Sequence, residues 1–173
     1  MTQKIVYENS EGGVSIVHPT GEVEITELVS RVVPPNSQYE IVDESVIPSD
    51  RFFRDAWVGN NIGIASTATA IVEDLEKSKL IAHDIRRNKR REEFAPYDEI
   101  IMKQIPGSDA TEAENSRAEI RNRYVGIQSA IEDSVDAFEI KVTLVQHNVA
   151  DVPGIINVVG VGSTSVGVGS TTP

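Results

Sequence analysis

Two stripes of apolar residues at helical spacing, separated by a proline–glycine break, constrain the fold of this 173-residue chain most strongly. The first stripe comprises Ile71, Leu75, Ala82 and Ile85, and the second comprises Ile120, Tyr124, Ile127, Ile131 and Phe138. Steps of three, four and seven residues place each set on one face of an α-helix. Between the stripes, Pro106 and Gly107 break a helix, and residues 111–114 have the form of a capping box. The pattern predicts an antiparallel helical hairpin.

Each stripe is narrow, which is more typical of a coiled coil than of a globular core. A hairpin of two helices buries little surface, so we expect further helices, including those of other subunits, to pack on it. The chain is therefore predicted to form a homo-oligomer. Pro96 lacks the amide donor that a helix interior needs, and it predicts a separate or kinked helical turn over residues 94–105.

Residues 1–68 are predicted to form a small α+β module. Two β-branched runs, residues 4–7 and 14–17, flank a loop that contains Gly12 and Gly13, as in a β-hairpin. Ile25, Leu28, Val29 and Val32 have the spacing of a short amphipathic helix, which the following prolines end. Residues 39–42 are a third strand candidate, so we expect a two- or three-stranded antiparallel sheet.

The helical hairpin is predicted over residues 69–150, although residues 139–146 alternate in a way that favours a strand unless the helix continues. Residues 151–173 are predicted to form an extended tail rich in glycine, valine, serine and threonine. After Asp151 the tail has no charged side chain, and its Val-Gly-Val-Gly-Ser-Thr sequence occurs twice, seven residues apart. The predicted fold class is thus α+β, with a small antiparallel module, a long helical hairpin and this tail.

The tail offers a strand for a partner's sheet edge, because alternating side chains can fill a partner's pockets while the backbone forms hydrogen bonds. The side chains expected to do so are Val159, Val161, Val166 and Val168. Its glycine pairs superficially resemble a phosphate-binding loop. No helix and no acidic residue follow them, however, as a dinucleotide-binding fingerprint requires.

Composition excludes several classes of function. The chain has no cysteine and a formal net charge of −11, which disfavours nucleic acid as a partner because phosphate contacts need a cationic surface. No run approaches 18 apolar residues, so we expect no membrane-spanning helix. The three histidines lie far apart in sequence, and no G-x-S-x-G pattern is present. We therefore expect no metal site, no cofactor and no enzymatic activity.

The basic run at residues 86–91 is the one cluster of positive charge. It could contact an acidic partner or nucleic acid, but a charged helix face paired with Asp84, Glu92 and Glu93 explains it better in so acidic a chain. The arginines of the second helix are expected to meet acids across the hairpin.

The segment from Pro48 to Trp57 holds the only tryptophan and two of the four phenylalanines. Such density predicts an anchor where the module joins the helices, with a core role favoured over an interface hot spot. The candidate interface residues in this segment are Arg51, Phe52, Phe53, Arg54 and Trp57; on the second helix they are Ile120, Tyr124, Ile127 and Ile131.

This segment resembles a signature, Asp-Arg-x-Phe-Arg-x-Ala-Trp, of small accessory proteins of tailed bacteriophages. The matching positions are Asp50, Arg51, Phe53, Arg54, Ala56 and Trp57, and a basic helix and a second charged helix follow in the same order. The resemblance covers about residues 3–137 and leaves the tail outside.

The resemblance implies a non-enzymatic structural or adaptor protein of a phage tail or tail fibre, made in the host cytoplasm and present in the virion tail. Its implied partners are other tail or fibre proteins. An assembly chaperone that is absent from the mature virion is the alternative, and a receptor-binding or hydrolytic tail component is a weaker one.

Overall fold

The computed structural model describes residues 3–64, 68–103 and 108–155, and it confirms the α+β class with a small antiparallel sheet followed by long helices. The candidate residues Val159, Val161, Val166 and Val168, and the glycine pairs beside them, lie outside these ranges. Pro106 and Gly107 of the predicted break also lie outside these ranges, whereas the predicted capping box, residues 111–114, lies inside them.

Three strands form the predicted sheet in the order β2-β1-β3. The central strand β1 (Gln3–Glu8) pairs antiparallel with β2 (Val14–Val17) and with β3 (Tyr39–Asp43). In the hairpin loop, the Asn9 side chain accepts hydrogen bonds from the amides of Glu11 and Gly13 at 3.0 and 2.9 Å. Gly12 has a φ of 70°, which suits glycine, so the loop prediction is confirmed.

Helix α1 (Ile25–Val32) lies in the connection between β2 and β3. Because both strands are antiparallel to β1 and lie on opposite sides of it, they are parallel to each other, and this connection must cross the sheet. The predicted helix and the predicted third strand are therefore both confirmed.

A second sheet of two strands was not predicted. It pairs β4 (Trp57–Asn60) antiparallel with β5 (Ala70–Glu73), and β4 lies against β1 and β2. Ile71 therefore belongs to a strand, so its assignment to the first helical stripe was wrong. The four residues of β5 give a weak strand signal, and the helical spacing of Ile71 to Leu75 was given more weight. The pairing of β5 with β4 determines the strand conformation.

Helix α2 (Leu75–Met102) begins at Asp74, whose side chain accepts a hydrogen bond from the Lys77 amide at 2.8 Å. It runs through Pro96 without ending, so the prediction of a separate turn over residues 94–105 was wrong. A proline interior to a helix removes one backbone hydrogen bond. Packing on α3 on both sides of that position holds the helix together, including an Arg117–Asp98 ion pair at 3.1 Å.

Helix α3 (Ser108–Asp133) begins before Thr111, so the capping-box prediction placed the helix start too late. A separate helix, α4 (Ala137–Gln146), occupies the segment that the sequence left open between a strand and a continuation of α3. Asp136 caps it by accepting a hydrogen bond from the Glu139 amide at 2.8 Å. Phe138 lies on α4 and is 63% exposed, so its place in the second buried stripe was also wrong.

Most of the buried apolar residues that the structure describes fall in two clusters. One lies among the three long helices and includes Ala82, Tyr124, Ile127, Ile131, Ile140 and Leu144, with Leu75, Ile85 and Ile120 partly buried at its edge. The other lies between the two sheets and consists of Val6, Val42, Trp57, Ile62 and Ile71. The predicted hairpin seam is thus confirmed apart from Ile71 and Phe138, and α4 of the same chain covers part of it.

We expect the fluorescence of Trp57, the only tryptophan, to peak at a blue-shifted wavelength typical of a buried indole, because its side chain is 2% exposed. Unfolding in denaturant should shift the maximum to the position of a water-exposed indole. Steady-state emission spectra of the native and denatured chain measure this directly. A native maximum already at the water-exposed position would contradict the burial of Trp57 between the sheets.

Candidate interaction surface

The segment from Asp50 to Trp57 turns sharply between the module and the helices. The Asp50 side chain accepts a hydrogen bond from the Phe52 amide at 2.9 Å. A single 3₁₀ turn, Arg54–Ala56, follows and leads directly into β4 at Trp57. Because the chain reverses within so few residues, its aromatic side chains can enter different parts of the interior.

The two clusters meet at this turn. Phe53 and Ala56 are fully buried in the helical cluster, whereas Trp57 lies in the cluster between the sheets. Phe52 packs edge-on against Phe53, with ring centroids 4.8 Å apart. This arrangement agrees with the predicted anchor between module and helices.

Lys141 of α4 ties the same turn to the second sheet. Its ammonium lies 2.7 Å from Asp50 and 2.7 Å from Glu73, which is the last residue of β5. It also lies 5.3 Å from the centre of the Phe53 ring, within the range of a cation–π interaction. The Lys141 side chain is only 5% exposed, so its buried ammonium joins three elements, although Asp50 itself reaches the surface.

The charges of this cluster stabilise one another. Burial alone would raise the pKa of Asp50, but hydrogen bonds from Lys141 and from the Phe52 amide hold it below its ordinary value. Burial likewise works to lower the pKa of Lys141, but its hydrogen bonds to Asp50 and Glu73 raise it above its ordinary value. Both shifts favour the charged forms, so the ion pairs persist across neutral pH.

A second polar network joins α2 and α3. The buried Arg86 donates hydrogen bonds to the Tyr124 carbonyl at 3.2 Å and to the Gln128 side chain at 2.9 Å. Burial, together with the neighbouring Arg90 and Arg87, lowers the pKa of Arg86. The Tyr124 hydroxyl donates to Glu93 at 3.0 Å, and burial and that carboxylate raise its pKa. These bonds fix the register of the two helices.

Most of the basic run at residues 86–91 is used within the hairpin. Arg87 pairs with Asp84, Lys89 lies 3.5 Å from Glu92, and Arg90 lies 5.9 Å from the Phe94 ring centre. Of the three arginines expected to meet acids across the hairpin, Arg117 and Arg123 of α3 do pair with acids of α2, namely Asp98 and Glu93. The third, Arg121, pairs with Glu114 of its own helix. The charged-helix-face interpretation of the run therefore agrees with the structure, and contact of the run with a partner stays an open prediction.

The candidate interface residues divide into buried and exposed sets. Phe53, Trp57, Tyr124, Ile127 and Ile131 are buried, whereas Phe52 and Ile120 are half-buried. Arg51 and Arg54 are exposed. Phe52 and Arg51 line an open groove of about 570 Å³ together with Ser49, Asp50 and Pro153. A partner can reach the signature segment at this groove and at the exposed Arg54.

Sequence reasoning missed Lys141 and Glu73 altogether. A signal for Lys141 was present, because Ala137, Ile140, Lys141, Leu144 and Val145 lie on one stripe of a helix, and all five are buried. The strand alternative for residues 139–146 puts Lys141 on the face opposite Ile140 and Leu144, and it hides this helical stripe. Glu73 has no comparable signal, since its role depends on the pairing of β4 with β5.

The histidines do not form a site in the part of the chain that the structure describes. His83 is buried and lies 2.7 Å from the Glu132 carboxylate, whereas His18 and His147 are exposed. Among the described residues, no three His, Asp or Glu side chains are grouped so as to hold a metal ion.

None of the described helices is both long and apolar enough to cross a membrane.

Comparisons of this chain with protein-family models, with curated proteins and with solved structures found no match.

Proposed function

We propose that this chain is a non-enzymatic structural or adaptor protein of a bacteriophage tail or tail fibre, and that it acts through self-association and contacts with other tail proteins. The observation that carries the proposal is the signature segment from Asp50 to Trp57, which resembles that of phage tail accessory proteins. On this proposal the protein is made in the host cytoplasm and is present in the virion tail.

The way in which the signature is used supports an adaptor role. Phe53, Ala56 and Trp57 are directed inward and hold the module to the helices, whereas Arg51 and Arg54 are exposed beside them. Arginine at an interface can hold a partner carboxylate with two parallel hydrogen bonds. The buried residues of the segment hold the exposed arginines in place. Such an arrangement suits an adaptor, which must contact two other proteins.

The C-terminal residues 156–173 supply the second proposed contact. They contain no charged side chain and two copies of a valine–glycine repeat, which suits a strand added to a partner's sheet edge. The described chain remains well anchored just before them, because Val149 and Val152 are 5% and 4% exposed. The proposal therefore assigns folding to residues before 156 and partner contact to residues after 155.

Deleting residues 156–173 is expected to leave the thermal unfolding midpoint within about 2 °C of the full-length value, because both buried clusters of the described residues are built from residues up to 150. Incorporation into particles should fall at least about tenfold. Circular dichroism measures the first quantity, and immunoblotting of purified particles from a complemented deletion phage measures the second. A control chain with Val159, Val161, Val166 and Val168 all replaced by serine keeps the length but removes the apolar side chains.

Full incorporation of the truncated chain would contradict the strand-donation role and reduce the tail to a spacer. A loss of incorporation with truncation that the serine control does not reproduce would show that length, and not the valine side chains, is required. If a phage that lacks the chain forms normal particles, and wild-type particles do not contain the chain, the adaptor proposal itself fails.

A further inference from the structure

A tight turn over residues 152–155 precedes the C-terminal segment. The Ile155 amide donates a hydrogen bond to the Val152 carbonyl at 3.1 Å, with Pro153 and Gly154 at the two central positions. Gly154 has a φ of 85°, and proline followed by such a glycine is typical of a type II turn. In this turn the fourth residue returns to within about 7 Å of the first. Because Val152 is 4% exposed and Ile155 is half-buried, the turn brings the chain back to the body of the protein.

The groove of about 570 Å³ beside the signature segment lies at this turn. The Asp50 carboxylate on its edge is already paired within the chain, so it does not require a charged ligand. The half-buried Phe52 and the exposed Pro153 supply apolar surface that water now covers. An uncharged segment with apolar side chains is therefore a suitable occupant.

The residues that follow the turn have this composition. Residues 155–159 read Ile-Ile-Asn-Val-Val, which is four apolar residues of five and no charge. Residue 156 follows Pro153 by three positions, so it lies within about 10 Å of the groove even in an extended chain. A tether this short gives a local concentration on the order of millimolar. Continuity of the chain thus favours this segment over a separate molecule.

We infer that residues 156–159 of the same chain occupy the groove beside Phe52 in the free protein. Their apolar side chains cover Phe52 and Pro153, which removes apolar surface from water. Such a contact opens locally before the domain unfolds, so it adds little to the thermal midpoint. A partner that enters the groove must displace the segment, which frees the tail for strand pairing. The inference goes beyond the proposed function, because it concerns the isolated chain.

Disulfide trapping tests this contact, and the wild-type chain has no cysteine to interfere. One cysteine replaces the exposed Ser49 of the groove, and the other replaces Asn157. A disulfide requires two Cα atoms within about 7 Å, so it forms rapidly only while residue 157 lies in the groove. Intact-mass spectrometry during oxidation measures the rate, since each intramolecular disulfide removes the mass of two hydrogen atoms.

The matched control carries the same two cysteines together with Ile156→Asp and Val158→Asp. These changes keep the length of the tether but place two carboxylates where the groove offers apolar surface, which disfavours docking. We expect trapping to be at least about tenfold slower in the control, with unchanged circular dichroism. If Ser49→Cys unfolds the chain, Arg51→Cys in the same groove takes its place with the same expected ratio.

Equal trapping rates with and without the two aspartates would overturn the inference, because the tether alone would then bring residue 157 to the groove. A disulfide that joins two chains would also overturn it and would indicate exchange of the segment between copies. Neither result depends on phage particles. Incorporation into particles tests the proposed function separately, so the two can fail independently.

Discussion

Replacing Lys141 by alanine is expected to lower the free energy of unfolding by about 3 kcal/mol, because it leaves two carboxylates without their shared cation. The value lies at the lower end of the range for broken buried ion pairs, since Asp50 is 44% exposed and remains partly hydrated. The loss also removes the ammonium that lies 5.3 Å from the centre of the Phe53 ring and the buried alkyl stem of the lysine. Denaturant unfolding followed by circular dichroism measures the difference.

A Lys141→Met variant separates the charge from the packing. Methionine keeps most of the stem volume, so it should recover part of the stability that alanine loses if packing contributes, and none if the charge alone matters. Equal stability of the wild type and Lys141→Ala would contradict the assignment of Lys141 as the residue that joins α4, β5 and the turn at Asp50.

The same cluster predicts a dependence on pH. The lowered pKa of Asp50 contributes stability that is present above its unfolded value of about 4 and is lost as pH falls through the folded value. The raised pKa of Lys141 contributes stability below its unfolded value of about 10.5, which is lost as pH rises through the folded value. Wild-type stability minus Lys141→Met stability should therefore be greatest between these limits.

Replacing Ile127 by alanine is expected to cost about 2–4 kcal/mol, because its side chain is fully buried among the helices and its removal leaves a cavity. Val125, two residues earlier on the same helix, is 65% exposed, and Val125→Ala serves as the matched control with an effect within about 0.5 kcal/mol. Chemical denaturation of the three proteins compares them. Equal losses at both positions would contradict the orientation of α3.

The hairpin could be predicted from the sequence because its signal is long and periodic. Tyr124, Ile127 and Ile131 repeat at helical spacing over two turns, and all three are buried where the spacing places them. The N-terminal sheet was predictable for a related reason, since β-branched runs flank a loop with Gly12 and Gly13, and this loop fixes the register of the hairpin.

Two short segments were not predictable, because several conformations satisfy the same few residues. Residues 139–146 fit both a period of two and a helical stripe, and the Asp136 cap selects the helix. Ile71 fitted the first helical stripe, yet its pairing opposite Gly59 in β4 makes it part of a sheet. The pairing of β4 with β5 joins two separate segments of the chain, and no pattern within either segment indicates it.

The candidate surface could be predicted only in part. The aromatic density of residues 52–57 identified the segment, and its role as an anchor follows from Phe53 and Trp57 entering separate clusters. The ion pairs of Lys141 with Asp50 and Glu73 join positions 91 and 68 residues apart, which no local pattern indicates.

The measurement that tests the proposed function most directly is absolute quantification of this protein, by mass spectrometry with isotope-labelled peptides, in phage particles purified on a density gradient. The proposal of a tail or fibre component predicts a fixed number of copies per particle that does not change with further purification. Its absence from particles, together with its presence in the lysate bound to unassembled tail proteins, would contradict that role and favour an assembly chaperone.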